Sequence, residues 1–172
     1  MRRPFALALS VWLLALACSG CGYALAGSGL GGAGKIAIHT PENRTQEPGV
    51  EYIVADALRR ELLRRDGAVL TDDPARADLV VSGRVVEIRS RSKSFSSAVL
   101  AREHELVMKI ALQAVKKDGT ELMSPRTAFE ENERYFASAD VEAQRKNRVE
   151  ALRRVSNLLA ARFFDSMGEA LP

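Results

Sequence analysis

Residues 103–119 read EHELVMKIALQAVKKDG, and this stretch decides the fold. On an extended chain successive side chains alternate between faces. Leu106, Met108, Ile110, Leu112 and Ala114 therefore face one way. Glu105, Val107, Lys109, Ala111, Gln113 and Val115 face the other. The pattern predicts a long strand over 103–116 with one apolar face. Asp118-Gly119 is a hairpin signal, because the turn needs a positive φ that glycine adopts without strain. The return strand is expected from about 121 to 136. It contains Pro125, which lacks a backbone N–H and so suits an edge.

Upstream, residues 79–88 read as a longer strand with apolar residues on both faces, as a central strand covered by helices would have. Residues 68–71 make a short strand, and 35–39 another. Between them 40–49 is turn-rich, with Pro41, Asn43, Pro48 and Gly49. Val50, Ile53, Val54, Ala57, Leu58 and Leu62 then recur at helical spacing. That predicts a helix over about 49–65, with Arg64 and Arg65 suiting its C-terminal dipole and Gly67 a natural cap. From 140 to about 168 the helical period returns. Leu152, Val155, Leu159 and Phe163 form its stripe, widened by Ala151, Leu158 and Met167. Arg145, Lys146, Arg148, Arg153 and Arg154 read as solvated. The order is strand, helix, a run of strands, helix. The expected fold is α+β: two helices on one face of a mixed, mainly antiparallel sheet of four to five strands, a two-layer sandwich.

The N-terminus stands apart from this domain. Arg2 and Arg3 follow Met1, and 5–17 carry no charge. That is a positive n-region and an apolar h-region of signal-peptide length, shorter than the ~20 apolar residues a membrane-spanning helix needs. Loss of residues 1–20 takes the basic count from 25 to 23, against 22 acidic residues. A near-neutral mature chain gives no support for nucleic acid as a partner.

Cys18 and Cys21 close this segment. A redox pair belongs at a helix start beside a strand, and structural zinc wants four ligands. Here no second such pair follows, and His39 and His104 are far away in sequence. The segment resembles a bacterial lipoprotein signal, in which small residues precede a cysteine that is lipidated and becomes the new N-terminus. Cys21 follows Ser19 and Gly20, which suits the last places of that box. Cys18, behind Ala15, Leu16 and Ala17, is the runner-up, and plain signal-peptidase cleavage would leave a free protein instead. One acyl chain holds a protein only weakly, at ~0.8 kcal/mol per buried CH₂. The diacylglycerol and acyl chains such a cysteine carries make a lasting anchor. No other cofactor is expected. The resulting organisation is a signal peptide over 1–20, a lipidated, glycine-rich tether over 21–34, and a folded domain over 35–172. Gly22 stands where Asp commonly marks inner-membrane retention, which favours the outer membrane.

Other motifs fail on context. Gly27, Gly29 and Gly32 formally spell the dinucleotide fingerprint, but no strand precedes them and a strand, not a helix, follows. His104-Glu105 begins a zinc-protease motif, but the place of the second histidine holds Met108 and the pattern is a strand's. No nucleophile-elbow pattern is present, no metal site is expected, and the chain is not expected to be an enzyme. The cations are more informative. Residues 89–95 read RSRSKSF, and Arg89, Arg91 and Lys93 share one face of an extended chain. They could engage phosphates or acidic residues of a partner; they could equally be the solvated, aggregation-resistant end of a strand. Lys116 and Lys117 beside the hairpin are a second candidate pair.

Several segments resemble the LptE family of lipopolysaccharide-assembly lipoproteins, also known as rare lipoprotein B. CGYAL at 21–25 resembles the family's C-G-[YW]-x-L opening. Asn43-Arg44-Thr45 and EPGVE at 47–51 resemble its first loop and helix entry, and LRREL at 58–62 resembles that helix. ADLVVSG at 77–83 resembles its A-D-x-x-[LV]-x-G strand. Between 123 and 136, where many members carry a Trp, this chain has Pro125 instead. The resemblance implies a non-enzymatic, lipid-anchored protein on the periplasmic side of the outer membrane. It implies LptD, the β-barrel that delivers lipopolysaccharide to the surface, as the partner that is plugged and helped to assemble, and lipopolysaccharide as a ligand. Lipoproteins that activate peptidoglycan synthases share the loop-then-helix rhythm and offer the competing expectation of a scaffold or activator subunit.

Overall fold

The computed structural model describes Leu30 and residues 32–92 and 103–171. Their order is β1 (Gly34–Ile38), β2 (Glu42–Asn43), α1 (Val50–Leu62), β3 (Ala68–Thr71), a 3-10 turn (Pro74–Arg76), β4 (Leu79–Ser92), β5 (Glu103–Lys116), β6 (Glu121–Met123), β7 (Ala128–Phe136) and α2 (Val141–Ala170). The strands form one mixed sheet in the order β3-β1-β4-β5-β6, with β2 beside β4 and β7 beside β5. β1 runs parallel to β3 and β4, while β5 is antiparallel to β4, β6 and β7. The α+β architecture is the one the sequence pattern implies. Among the described residues the strands number seven because two residues of the first loop pair with β4 and the return strand splits around Pro125.

Both helices lie on one face of the sheet. Ile36, Ile38, Leu79, Val81, Val85, Leu106, Met108, Ile110 and Leu112 meet Val54, Leu58 and Leu62 of α1 and Leu152, Val155, Leu159 and Phe163 of α2 in one buried core. Phe163 packs edge-on against Phe129 and Phe164, at 5.9 and 5.3 Å between ring centres. Each such side chain contributes about 1.5–3 kcal/mol by leaving water.

No helix among the described residues covers the opposite face, which corrects the expectation of a β4 covered on both sides. Leu79, Val81 and Val85 are buried, whereas Val80 and Val86 are partly exposed. A bulge between Val85 and Glu87 inserts one residue into β4. It flips the alternation, so that Ile88 turns to the core and Glu87, Arg89 and Arg91 turn to the open face.

The entry to the sheet is tightly held. Leu30 is fully buried, and its N–H donates to the carbonyl of Asp66 at 2.9 Å. The Asp78 carboxylate accepts the Lys35 N–H at 2.8 Å, and the Asp78 N–H donates to the Lys35 carbonyl at 2.7 Å. Gly34 sits at φ +63, and a Cβ there would lie 2.3 Å from Asp78 Oδ2, so the clamp requires glycine. α1 stops at Leu62, three residues before the sequence pattern runs out, and Gly67 takes its positive φ within the connection to β3. α2 is capped by Asp140, whose carboxylate accepts the Ala143 N–H at 2.7 Å.

Candidate interaction surface

The five candidate contact residues do not form one site. Arg89 and Arg91 lie toward the far end of β4. Lys116 ends β5 opposite Leu79, and the Lys117 N–H donates to the carbonyl of Asp78. Leu79 and Arg89 are ten steps apart along β4, roughly 30 Å at ~3.3 Å per residue. Lys116 and Lys117 therefore flank the end where Leu30 and β1 enter the domain, and Arg89 and Arg91 the other end. Lys93, Cys18 and Cys21 lie outside the described residues.

The strand register arranges the open face into cross-strand rows. Glu87, Lys109 and Glu130 stand side by side on β4, β5 and β7. Four residues further along each strand, Arg91, Glu105 and Arg134 do the same with the signs inverted. Opposite charges across neighbouring strands favour the sheet. Arg89 forks onto the Glu87 carboxylate. That hydrogen bond holds the Glu87 carboxyl below its ordinary pKa and the Arg89 guanidinium above its own. Arg134 reaches Glu103 at 3.7 Å. Among the described residues this end of the sheet is polar and charge-compensated, not a bare cationic patch.

Behind it, on the helix side, lies a network that the sequence does not reveal. Arg148 of α2 grips Glu47 of the first loop, with Nη2 2.6 Å and Nε 3.1 Å from Oε2. The Glu47 carboxylate, despite partial burial, raises the Arg148 pKa above its ordinary value. Arg148 Nη1 donates to Tyr135 Oη at 3.3 Å, and Tyr135 Oη lies 3.1 Å from Ser90 Oγ. The His104 ring stacks on Tyr135 at 5.4 Å. Asn43 shapes the loop that carries Glu47. Its Nδ2 donates to the Glu47 carbonyl at 2.8 Å and to Glu51 Oε2 at 2.9 Å, while its Oδ1 accepts the Thr45 N–H at 2.9 Å. The loop residues noted in the sequence thus tie loop, sheet and helix together. Only the recurrence of Asn, Thr and Glu in a turn-rich loop hints at this, and Arg148 reads as solvated until the loop folds over it.

Beside this network a hollow of about 270 Å³ opens, lined by Arg134, Tyr135, Phe136, Asn147, Glu150 and Arg154. It is a shallow surface feature. No helix among the described residues is long and apolar enough to cross a membrane.

Fold and surface together define a small α+β module with one helical layer and one open polar sheet face. Three solved bacterial proteins share this fold. One is a candidate lipoprotein from Caulobacter crescentus, at 14% identity over 77% of this chain and 90% of that one, with a TM-score of 0.52. Another is lipoprotein B from Nitrosomonas europaea, at 14% over 76% and 79%, with a TM-score of 0.51. The third is a hypothetical protein from Chlamydia trachomatis, at 11% over 78% and 97%, with a TM-score of 0.50. At such identities the likeness is one of fold. No curated protein matches the chain. Residues 33–167 match the model of the lipopolysaccharide-assembly family LptE, and the chain belongs to that family.

Proposed function

We propose that this chain is an outer-membrane lipoprotein, lipidated at Cys21, that plugs and helps assemble an LptD-type β-barrel during lipopolysaccharide transport. The observation that carries this reading is the family match over residues 33–167. The open face supports it: alternating charges suit contact with the hydrated, polar lumen of a barrel better than with lipid tails. The anchor fits the same picture. Cys21 is nine steps along the chain from buried Leu30, a reach of about 30 Å at most, which keeps the domain close to the inner surface of its membrane. The mature chain then works without a cofactor, by binding.

Membrane fractionation and pull-down of the wild type beside Cys21→Ala test both halves. The variant should move largely to the soluble periplasmic fraction, while the wild type should bring down an outer-membrane barrel. Recovery of a peptidoglycan synthase in place of a barrel would establish the activator role instead. Full membrane retention of Cys21→Ala in cells that lack the barrel would refute lipidation at Cys21, and Cys18→Ala is then the variant to compare.

Charge reversal tests the surface. Arg89→Glu, Arg91→Glu and Lys93→Glu together should weaken lipopolysaccharide or barrel binding by at least about tenfold, the equivalent of one lost charge-assisted contact. The far-UV circular dichroism should not change. Lys116→Glu with Lys117→Glu, at the tether end, should act independently of the triple variant. Unchanged retention of barrel and lipopolysaccharide by the triple variant would remove these cations from the function.

A further inference from the structure

β7 pairs only with β5 among the described residues, so its other edge faces outward for nine residues. Such an edge carries backbone groups that can template another strand. Along an antiparallel strand, alternate residues direct both their N–H and C=O away from the neighbour. In β7 these are the even-numbered residues. Three of the four outward carbonyls at 130, 132, 134 and 136 are taken by side chains of α2. Arg162 Nη1 reaches the Glu130 carbonyl at 3.4 Å, Arg154 Nη2 the Arg134 carbonyl at 3.2 Å, and Asn147 Nδ2 the Phe136 carbonyl at 2.9 Å. A donor at that distance occupies the space in which an added strand, about 4.8 Å away, would place its own N–H groups. Arg154 and Arg162 are held there by carboxylates on the helix side of the same strand, Glu133 and Glu131.

The strand beneath this cover is complementary to itself. Lay a second β7 antiparallel to the first, with Asn132 on the two-fold axis. Glu130 then meets Arg134 of the other copy twice, Phe129 meets Tyr135, and Ala128 meets Phe136. Opposite charges and aromatic pairs directly across strands are the favourable combinations, and an isologous two-fold contact needs this self-matching pattern. The like pair, Glu131 against Glu133, is neutralised by Arg162 and Arg154. We infer that the β7 edge is a latent homodimer interface, kept closed in the monomer by Asn147, Arg154 and Arg162. It takes a second copy of this chain, paired strand to strand so that the two sheets join. This inference stands apart from the barrel reading.

The test uses the full chain, purified in detergent, with Asn132→Cys as a reporter on the axis. In the guarded protein, oxidation should give little dimer beyond what the wild type's own cysteines produce. Opening the guard requires Asn147→Ala, Arg154→Met and Arg162→Met, with Glu131→Gln and Glu133→Gln so that no carboxylate loses its counter-charge. Disulfide dimer should then rise by at least about tenfold, a shift of ~1.4 kcal/mol in pairing. Adding Glu130→Arg should suppress the dimer, and the swap Glu130→Arg with Arg134→Glu should restore it. Equal crosslinking with the guard open or closed, in proteins whose thermal melts stay cooperative, would overturn the inference. So would crosslinking that ignores the charges at 130 and 134, because the register would then be wrong.

Discussion

Gly83→Val should lower the melting temperature by roughly 10 °C, from a cost of about 3 kcal/mol or more and a slope of ~2–4 °C per kcal/mol for a chain of this size. Gly83 lies in β4 opposite Leu112 of β5, in the middle of the sheet. A Cβ added there would stand 2.2 Å from the Ala111 carbonyl oxygen and 2.9 Å from Leu112 Cα. These are backbone atoms of a strand bonded on both sides, so the clash has no flexible side chain to push away. β4 would have to separate from β5 at the centre of the longest ladder in the fold. Gly119→Ala is the control. It has a positive φ of 87 but open space around it, so its cost is the left-handed backbone's ~1–2 kcal/mol. Gly83→Ala should fall between the two. A melt of Gly83→Val within 2–3 °C of wild type, about 1 kcal/mol, would show that β4 can shift and that the close approach is not needed.

The same position shows what the sequence could say about the fold. In ADLVVSG at 77–83, Ala77 is buried, Asp78 clamps the start of β1, Val81 enters the core and Gly83 permits the approach to β5. The apolar alternation of β5 was legible because one face is buried and the other is not, and its limits match those expected from the pattern. The bulge in β4 was not, because Val85 and Val86 are interchangeable to a period-two reading. Yet the bulge decides which way Arg89 and Arg91 face. The surface was legible only as a row of cations. Their counter-charges, Glu87 next to Arg89 and Glu105 across from Arg91, depend on register, which no local pattern encodes. The Glu47–Arg148 pair spans 101 residues, and a solvated arginine and a helix-gripping one look alike in sequence. Where the return strand contains Pro125, the chain leaves the sheet between β6 and β7, so a single predicted strand becomes two.

Arg65 gives the second large expected effect, and it reverses the role that its position implied. It lies three residues past the end of α1 rather than in its last turn, and its side chain is 5% exposed. Its guanidinium donates to Glu61 Oε1 from Nε at 3.1 Å and from Nη2 at 2.9 Å, and to the Ala161 carbonyl at 3.1 Å. It also pairs with Asp165 at 2.8 Å and lies 5.7 Å from the centre of the Phe164 ring. One side chain therefore fastens the end of α1 to the last third of α2. Arg65→Ala removes the closer, two-pronged partner of Glu61, whose side chain is only 15% exposed, leaves it the exposed Arg64 at 3.5 Å, and opens a gap at the helix seam. Breaking a buried pair costs about 3–5 kcal/mol. Asp165 is mostly in water and adds little, so the lower end, about 3 kcal/mol or 6–12 °C, is the expected loss. Arg65→Lys should recover part of it, since it keeps the charge but loses the planar fork. Arg65→Ala with Glu61→Ala should cost less than the sum of the two single changes by about 1 kcal/mol or more, because the double variant strands no buried carboxylate. Strict additivity in that cycle, or an Arg65→Ala protein that melts with the wild type, would mean that the seam is held by its apolar contacts alone.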